Sequence, residues 1–276
     1  MAALTRRTRV WHGLVLAVFG LYFAAPLVAS FVFTVDVPGQ GLTGQAYADI
    51  LGAPGFTDGL GLSLLLAVAT IVLVLALVVP AMVAVRLRPG RLGSVIEVLC
   101  TLPLVVPPIA FVAGIGSILR LGPERLSDTP LYQTFLAVQD ERFPVALVLS
   151  YTVLALPFVF RSLDSGLRAI DVPTLTEAAR NCGASWWQVL VRVLLPNLRS
   201  SIAGAAFLTL ALVLGEYTIA RILTFETFPV WIVKVSGSEA RLSVAISLLS
   251  LLITWLLLLA LSSAGTRTTT TSEDRP

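Results

Sequence analysis

Six long apolar stretches constrain this chain more than any other feature of its sequence. Each is long enough to cross a hydrocarbon core about 30 Å thick as a helix, which takes roughly 20 residues. The sequence therefore predicts an all-α membrane protein with six transmembrane helices. The predicted spans are Trp11–Phe33, Leu60–Val85, Val95–Leu121, Phe143–Phe160, Ser201–Leu223 and Leu242–Ala264.

Composition supports the membrane class. Hydrophobic residues make up 57% of the chain and charged residues only 13%, against a charged share of roughly 25% in soluble domains. The net charge of +3 comes from arginines in short loops between apolar stretches, a pattern that indicates membrane orientation and no nucleic-acid partner. Cys100 lies in an apolar span and Cys182 in a loop, which disfavours a disulfide framework.

Basic residues divide unequally between the two sides of the predicted spans. With the N-terminus in the cytoplasm, thirteen of the 19 Lys and Arg residues lie inside, and the first outer loop, 34–59, carries none. Cytoplasmic loops carry such an excess, so we expect a multi-pass protein of the cell (inner) membrane with both termini in the cytoplasm. We expect one domain over residues 1–264 and a disordered cytoplasmic tail over 265–276.

The most arginine-rich loop, residues 161–200, contains the pattern of a short capped helix. Pro173 suits the first helical turn, and Thr174 with Glu177 three residues later predicts a capping box. Gly183 is predicted to end this helix, because glycine readily adopts the left-handed backbone found there.

A second short helix is predicted immediately after the first. Ser185 and Gln188 repeat the capping-box spacing, and Pro196 predicts a boundary near the next apolar stretch. The apolar residues that recur at helical spacing are Trp186, Trp187, Leu190, Val193 and Leu194. We expect the two tryptophans to anchor this helix at the membrane interface or against neighbouring helices.

This loop resembles the signature loop of permease subunits of type I binding-protein-dependent ABC importers. The fixed positions of the pattern are Glu-Ala-Ala, a glycine after three intervening residues, an aliphatic residue after nine more, and Leu-Pro after one more. Val193 is the aliphatic residue, where the family usually has Ile. The resemblance implies that this loop couples the permease to an ATPase. The residues that it assigns to coupling are Glu177, Ala178, Ala179, Gly183, Val193, Leu195 and Pro196.

The resemblance also implies partners. These are ABC ATPase subunits, a second permease subunit as a homodimer or heterodimer, and an extracytoplasmic solute-binding protein, all acting within the lipid bilayer. We expect no cofactor in this chain and no enzymatic activity of its own, because the only lysine, Lys234, is not in a phosphate-binding Gly-x-x-x-x-Gly-Lys-Ser/Thr loop. ATP is therefore expected on a partner subunit. A self-contained secondary carrier is the alternative, but it has no use for such a docking helix.

Two spans carry candidate pathway residues. Pro103, Pro107 and Pro108 each remove a helix hydrogen bond, so the third span is predicted to be kinked or broken. Such a helix commonly lines a pathway, and a packing kink without substrate contact is the alternative. Glu216, followed by Tyr217, lies deep in the fifth predicted span, where an acid is costly in lipid. Glu216 is expected either to contact a cationic substrate or to make a structural hydrogen bond to a neighbouring helix.

The segments around these residues suggest a substrate class. Leu-Pro-Leu-Val-Val-Pro-Pro and Leu-Gly-Glu-Tyr look most similar to the spermidine/putrescine permeases, so a polyamine is the first expectation. Sulfate or molybdate, iron and thiamine permeases look nearly as similar and are the alternatives. Gly-Glu-aromatic segments also resemble oxyanion permeases, in which the acid is no counter-ion to the substrate.

Overall fold

The computed structural model describes the backbone of residues 2–87 and 90–266 and the side chains of 11–87, 90–122 and 124–261. It divides into two compact units. The first comprises the residues up to Thr57 together with Trp231–Ile253, and the second comprises Asp58–Val230 together with the residues from Thr254 onward.

The chain begins with the first span and a small folded loop. The elements are α1 (Ala2–Val35), β1 (Asp36–Val37), β2 (Gly41–Leu42), α2 (Gln45–Ala48) and a 3-10 turn (Asp49–Gly52). The strands pair antiparallel. The loop is joined to the end of α1 by a 2.9 Å hydrogen bond between the Thr34 and Tyr47 hydroxyls. Along Trp11–Val35 the apolar side chains are not buried against other described residues.

The second and third spans follow. Their elements, with a short helix between the third and fourth spans, are α3 (Phe56–Leu87), α4 (Arg91–Thr101), a 3-10 turn (Leu102–Leu104), α5 (Pro108–Arg125) and α6 (Leu131–Val138). Between Leu104 and Pro108 the third span bends by 99°. Pro108 is the first residue of α5, a position where an N–H group would have no acceptor within the helix. The predicted break is confirmed.

The fourth span leads into the loop that resembles the coupling loop. The elements are α7 (Val145–Arg168), α8 (Val172–Asn181), α9 (Trp186–Gln188), a π-helical segment (Val189–Leu194) and α10 (Leu195–Asn197). The predicted two-helix arrangement is therefore present, although the second helix is α-helical only at its ends.

The fifth span differs from the prediction. The last elements are α11 (Arg199–Gly215), α12 (Thr218–Ile222), α13 (Phe228–Ser236) and α14 (Ala240–Thr266). The prediction of a continuous helix from Ser201 to Leu223 is wrong, because α11 ends at Gly215 and the backbone of Glu216 is extended, with ψ 120°.

Six spans account for the apolar stretches. Four helices are by themselves long and apolar enough to cross a membrane, and two bent helix pairs bring the number to 6 when each pair is counted once. The tail predicted for 265–276 begins within α14, which continues to Thr266, and residues 267–276 lie outside the described residues.

The core of the second unit consists of two clusters. One joins the ends of α3 and α7 to α8 and the π-helical segment. The other joins α3, α5, α7, α11 and α12. Close packing of α7 on α11 supports both: the Ser162 hydroxyl donates to the Ser201 carbonyl at 2.8 Å, and small residues at this contact let the two backbones approach.

Candidate functional site

Asp171 caps the first helix of the loop. Its carboxylate accepts from the Thr174 hydroxyl at 2.7 Å and from the Thr174 N–H at 3.3 Å. Thr174 therefore lies inside α8, and the predicted capping box of Thr174 and Glu177 is wrong. The available signal was Asp171 itself, since an aspartate followed by Pro173 in the first turn matches a helix start. The two hydrogen bonds, that from the hydroxyl first, lower the pKa of Asp171 below its ordinary value.

The end of α8 is a Schellman motif. The Gly183 N–H donates to the Arg180 carbonyl at 2.9 Å, and the Ala184 N–H donates to the Ala179 carbonyl at 3.1 Å. Gly183 has φ +85°, which confirms the left-handed backbone predicted for it. A Cβ at this position would meet nothing within 4 Å. The requirement for glycine is therefore conformational within this chain.

The remaining signature residues of α8 divide between an exposed and a buried side. Glu177 and Ala178 are exposed, whereas Val172 and Thr176 are buried. Ala179 is half-buried and packs against the cluster that contains Val172. The Glu177 and Ala178 side chains are therefore accessible on the surface of the loop.

The capping box predicted at the start of the second helix is confirmed. The Ser185 N–H donates to the Gln188 side-chain oxygen at 2.7 Å, and the Gln188 N–H donates to the Ser185 hydroxyl at 3.3 Å. Trp186 and Trp187 are 57% and 71% exposed. The Arg180 guanidinium of α8 lies 5.1 Å from the centre of the Trp186 ring, and the anchoring site of the two tryptophans stays a prediction.

The π-helical segment gives this second helix its buried face. Val189 and Leu194, five residues apart, are each only 1% exposed, and the Leu195 N–H donates to the Leu190 carbonyl five residues back. Pro196 has no N–H to continue an α-helical ladder. One residue later, the Asn197 side chain donates to the Val193 carbonyl at 2.7 Å.

Three signature residues lie in this second helix or just after it. Val193 and Leu195 are half-buried, and Pro196 is exposed. The structure thus brings both halves of the signature together, because α8 packs against the π-helical segment.

An ion-pair cluster fixes the end of α7 that leads into the loop. The Asp164 carboxylate accepts from Arg86 of α3 at 2.6 Å and from Arg168 at 2.8 Å. Beside it lies a cavity of about 320 Å³ between α3, α4 and α7. Because Arg86 and Asp164 are 78 positions apart in sequence, the arginine count of the loops did not reveal this pair.

Glu216 caps α12. Its Oε1 atom accepts from the Ile219 N–H at 2.8 Å, and its Oε2 atom accepts from the Ala220 N–H at 3.3 Å. The carboxylate therefore makes structural hydrogen bonds to the helix that follows it, and Tyr217 is half-buried. Hydropathy missed this break because Glu216 stands within an otherwise apolar run.

The two interrupted spans meet in the second core cluster. Val112 of α5 lies in the same buried cluster as Ile219 and Ala220 of α12. At the break in the third span, Pro107 and Pro108 are exposed and Pro103 is half-buried. The predicted pathway residues are thus placed at two helix breaks whose following helices pack together.

Comparisons with known proteins identify the family. Residues 76–267 match the model of the family described as "Binding-protein-dependent transport system inner membrane component". The molybdenum transport system permease protein ModB of Haemophilus influenzae is 32% identical over 219 residues, 72% of this chain and 92% of that protein. Its Mycobacterium tuberculosis counterpart is 28% identical over 259 residues, 90% of this chain and 91% of that protein.

Two further similarities are informative. The spermidine/putrescine permease protein PotC of Escherichia coli is 25% identical over 125 residues, 45% of this chain and 47% of that protein. A bacterial alginate ABC transporter, solved in complex with its substrate-bound periplasmic protein, shares the fold with a TM-score of 0.66 at 16% identity, over 98% of each chain. The chain therefore belongs to the inner membrane components of binding-protein-dependent transport systems, and it is an ABC importer permease.

Proposed function

We propose that this chain is the permease subunit of a molybdenum importer that takes up the metal as its oxyanion. The observation that carries the coupling part is the exposed Glu177–Ala178 surface of α8, held between an Asp171 cap and a Gly183 helix end. The substrate part rests on the similarity to two molybdenum permeases, each covered over more than nine-tenths of its length.

The α8 helix is proposed to dock into a separate ATPase subunit. Glu177 offers an exposed charge, and Ala178 beside it has no bulk to prevent close approach by another backbone. The segment that contains Val193, Leu195 and Pro196 connects the docking helix to α11. In this proposal these three residues support the docking helix and do not contact the ATPase themselves. In this proposal ATP is bound and hydrolysed only by the partner subunit.

The proposed assembly also contains a second permease subunit and a solute-binding protein. Both termini are proposed to lie in the cytoplasm, since thirteen of the 19 basic residues then lie inside. A reporter fused at Ala184 tests this orientation: an extracytoplasmic signal would contradict both the topology and the docking role of α8.

The contacts of Glu216 give no specific support to a polyamine. Both oxygens of Glu216 accept backbone hydrogen bonds from α12, which accounts for an acid in this span without a cationic substrate. A polyamine remains the second candidate because of the similarity to PotC over 125 residues.

Uptake measurements distinguish the two substrates. The chain is reconstituted in liposomes with the ATPase and binding protein encoded beside it, and ATP-dependent molybdate uptake is measured. We expect uptake that an excess of tungstate inhibits and an excess of spermidine does not. Spermidine uptake in the same liposomes, without molybdate uptake, would establish the polyamine alternative.

A further inference from the structure

We propose that Trp186, Trp187, Arg180 and Arg192, here called the tryptophan surface, bind anionic phospholipid headgroups at the membrane surface next to the loop. The coupling residues proposed above do not include these four side chains. The inference requires that α11 crosses the membrane, and it does not depend on the substrate.

The geometry of the loop places the tryptophans at headgroup depth. The 17 residues of α11 are about 26 Å long, close to the thickness of the hydrocarbon core, and Arg199 at the first position belongs at the boundary. The segment Trp186–Asn197 is bent by 77° from α11. With α11 along the membrane normal, this segment lies about 13° from the membrane plane and rises only ~4 Å over its ~18 Å length.

That rise is smaller than the headgroup layer. The polar layer on each side of the hydrocarbon core is roughly 5 to 8 Å thick. The segment leaves α11 at this boundary and runs nearly parallel to it. Trp186 and Trp187, at its far end, therefore remain within the layer.

The exposure of apolar side chains changes along this segment. Val189 and Leu194, each 1% exposed, are buried in the core of the protein, while Trp186 and Trp187 at its start are 57% and 71% exposed. Two adjacent exposed indoles are costly in bulk water, whereas the headgroup layer accepts both the apolar ring and its N–H group.

The charge of this region complements anionic lipid. From Ala178 to Gly215 the chain carries three arginines and no acid. The Arg180 guanidinium lies 5.1 Å from the centre of the Trp186 ring, and Arg192 is exposed. Basic residues near a membrane surface are attracted by anionic headgroups. Arg180 shares α8 with Glu177, the acid of the signature, but it lies in the last turn of that helix, beside Trp186.

Fluorescence quenching by brominated lipids tests the proposal. The full chain is placed in nanodiscs of equal parts phosphatidylcholine and phosphatidylglycerol, with bromines near the headgroup or deep in the acyl chains. The emission of Trp186 and Trp187 is obtained by subtracting the fluorescence of the W186F/W187F variant from that of the parental protein. We expect the shallow bromines to quench this emission more than the deep ones.

Trp255 provides the matched control. It is 56% exposed and lies near the middle of α14, so the emission lost in W255F is expected to be quenched more by deep bromines. If W186F/W187F fails to fold, W187F alone gives the same comparison for one indole.

Two further measurements decide the outcome. Quenching by the shallow bromines is expected to be stronger in nanodiscs with phosphatidylglycerol than in phosphatidylcholine alone. Arg180→Gln is expected to make this difference smaller. Quenching by aqueous iodide, with none by bromines, would overturn the proposal. Shielding from iodide that appears only when ATPase subunits are added would also overturn it, because the surface would then be a protein interface.

Discussion

Gly166 of α7 faces Ser201 of α11 with no room between them for a methyl group. A Cβ on residue 166 would overlap the Ser201 hydroxyl and approach its Cβ to 2.6 Å. Because the Ser201 Cβ cannot rotate away, the two helices would have to separate. The contact between the fourth and fifth spans therefore depends on the absence of a side chain at position 166.

Gly166→Ala is expected to destabilise the permease by about 1–3 kcal/mol, the usual cost of overpacking a close contact. The unfolding temperature of the purified protein measures the effect. At Gly204 a Cβ would meet the Ser162 hydroxyl at 3.1 Å, so Gly204→Ala should cost less. Gly114→Ala is the control, since nothing lies within 4 Å; an equal loss in all three variants would contradict this packing argument.

Gly183→Asp is expected to uncouple ATP hydrolysis from transport while leaving membrane insertion intact. Most side chains at φ +85° cost roughly 1–2 kcal/mol; Asp causes less backbone strain but adds a negative charge at the C-terminal end of the proposed docking helix, where the helix dipole disfavours it. The ATPase activity stimulated by the binding protein, compared with uptake, measures the coupling.

Gly183→Asn is the matched control, because asparagine tolerates the left-handed region better than other residues. We expect Asn to retain more coupling than Ala, although Ala is the smaller side chain. The opposite order would show that size at the ATPase interface, and not backbone strain, limits this position.

Glu216→Gln is expected to keep most of the stability and of the molybdate uptake. Glutamine retains one acceptor oxygen, enough for the 2.8 Å bond from Ile219 but not for the additional 3.3 Å bond from Ala220. Glu216→Ala loses both and should cost about 1–2 kcal/mol, as for a lost helix cap. Thermal unfolding and uptake are measured together. A Gln variant of parental stability with no uptake would instead place Glu216 in the pathway.

The Asp171 cap predicts a pH dependence confined to the loop. Its folded pKa is lowered from the ordinary value of 3.8 by the Thr174 hydrogen bonds, so the stabilisation is present above pH 3.8 and is lost as the pH falls through the lowered pKa. Pepsin cleavage within α8 should accelerate over that range. Asp171→Asn keeps a capping acceptor without titrating, so its cleavage should lack this acceleration; identical profiles would exclude the cap as the cause.

The sequence predicted best those features that depend on length and composition. Long apolar runs revealed the six spans. Three prolines revealed the break in the third span, because a proline removes a helix hydrogen bond whatever residues surround it. The break after Gly215 escaped prediction, since the capping carboxylate of Glu216 stands within an otherwise apolar run and hydropathy does not register hydrogen bonds.

The loop over residues 161–200, which resembles the coupling loop, shows the same difference between local features and features set by the path of the chain. The left-handed Gly183 and the Ser185–Gln188 box follow from local backbone chemistry and were predicted. The first cap was misplaced because Asp171 and Thr174 both match the residue preference, and only the path of the chain out of α7 decides between them. The substrate preference also changed: the short segments favoured polyamines, whereas the similarity over most of the chain favours molybdenum permeases.

The π-helical winding of Val189–Leu194 links the residue spacing of the signature to the direction in which α8 points. Each residue of an α-helix turns it by about 100°, whereas bonds that span five residues turn it less. The nine residues between Gly183 and Val193 therefore set the direction of the proposed docking helix about the axis of the segment Trp186–Asn197, which is bent by 77° from α11. Rewinding this segment as an α-helix would point the same Glu177 and Ala178 side chains in another direction without changing a single residue of α8.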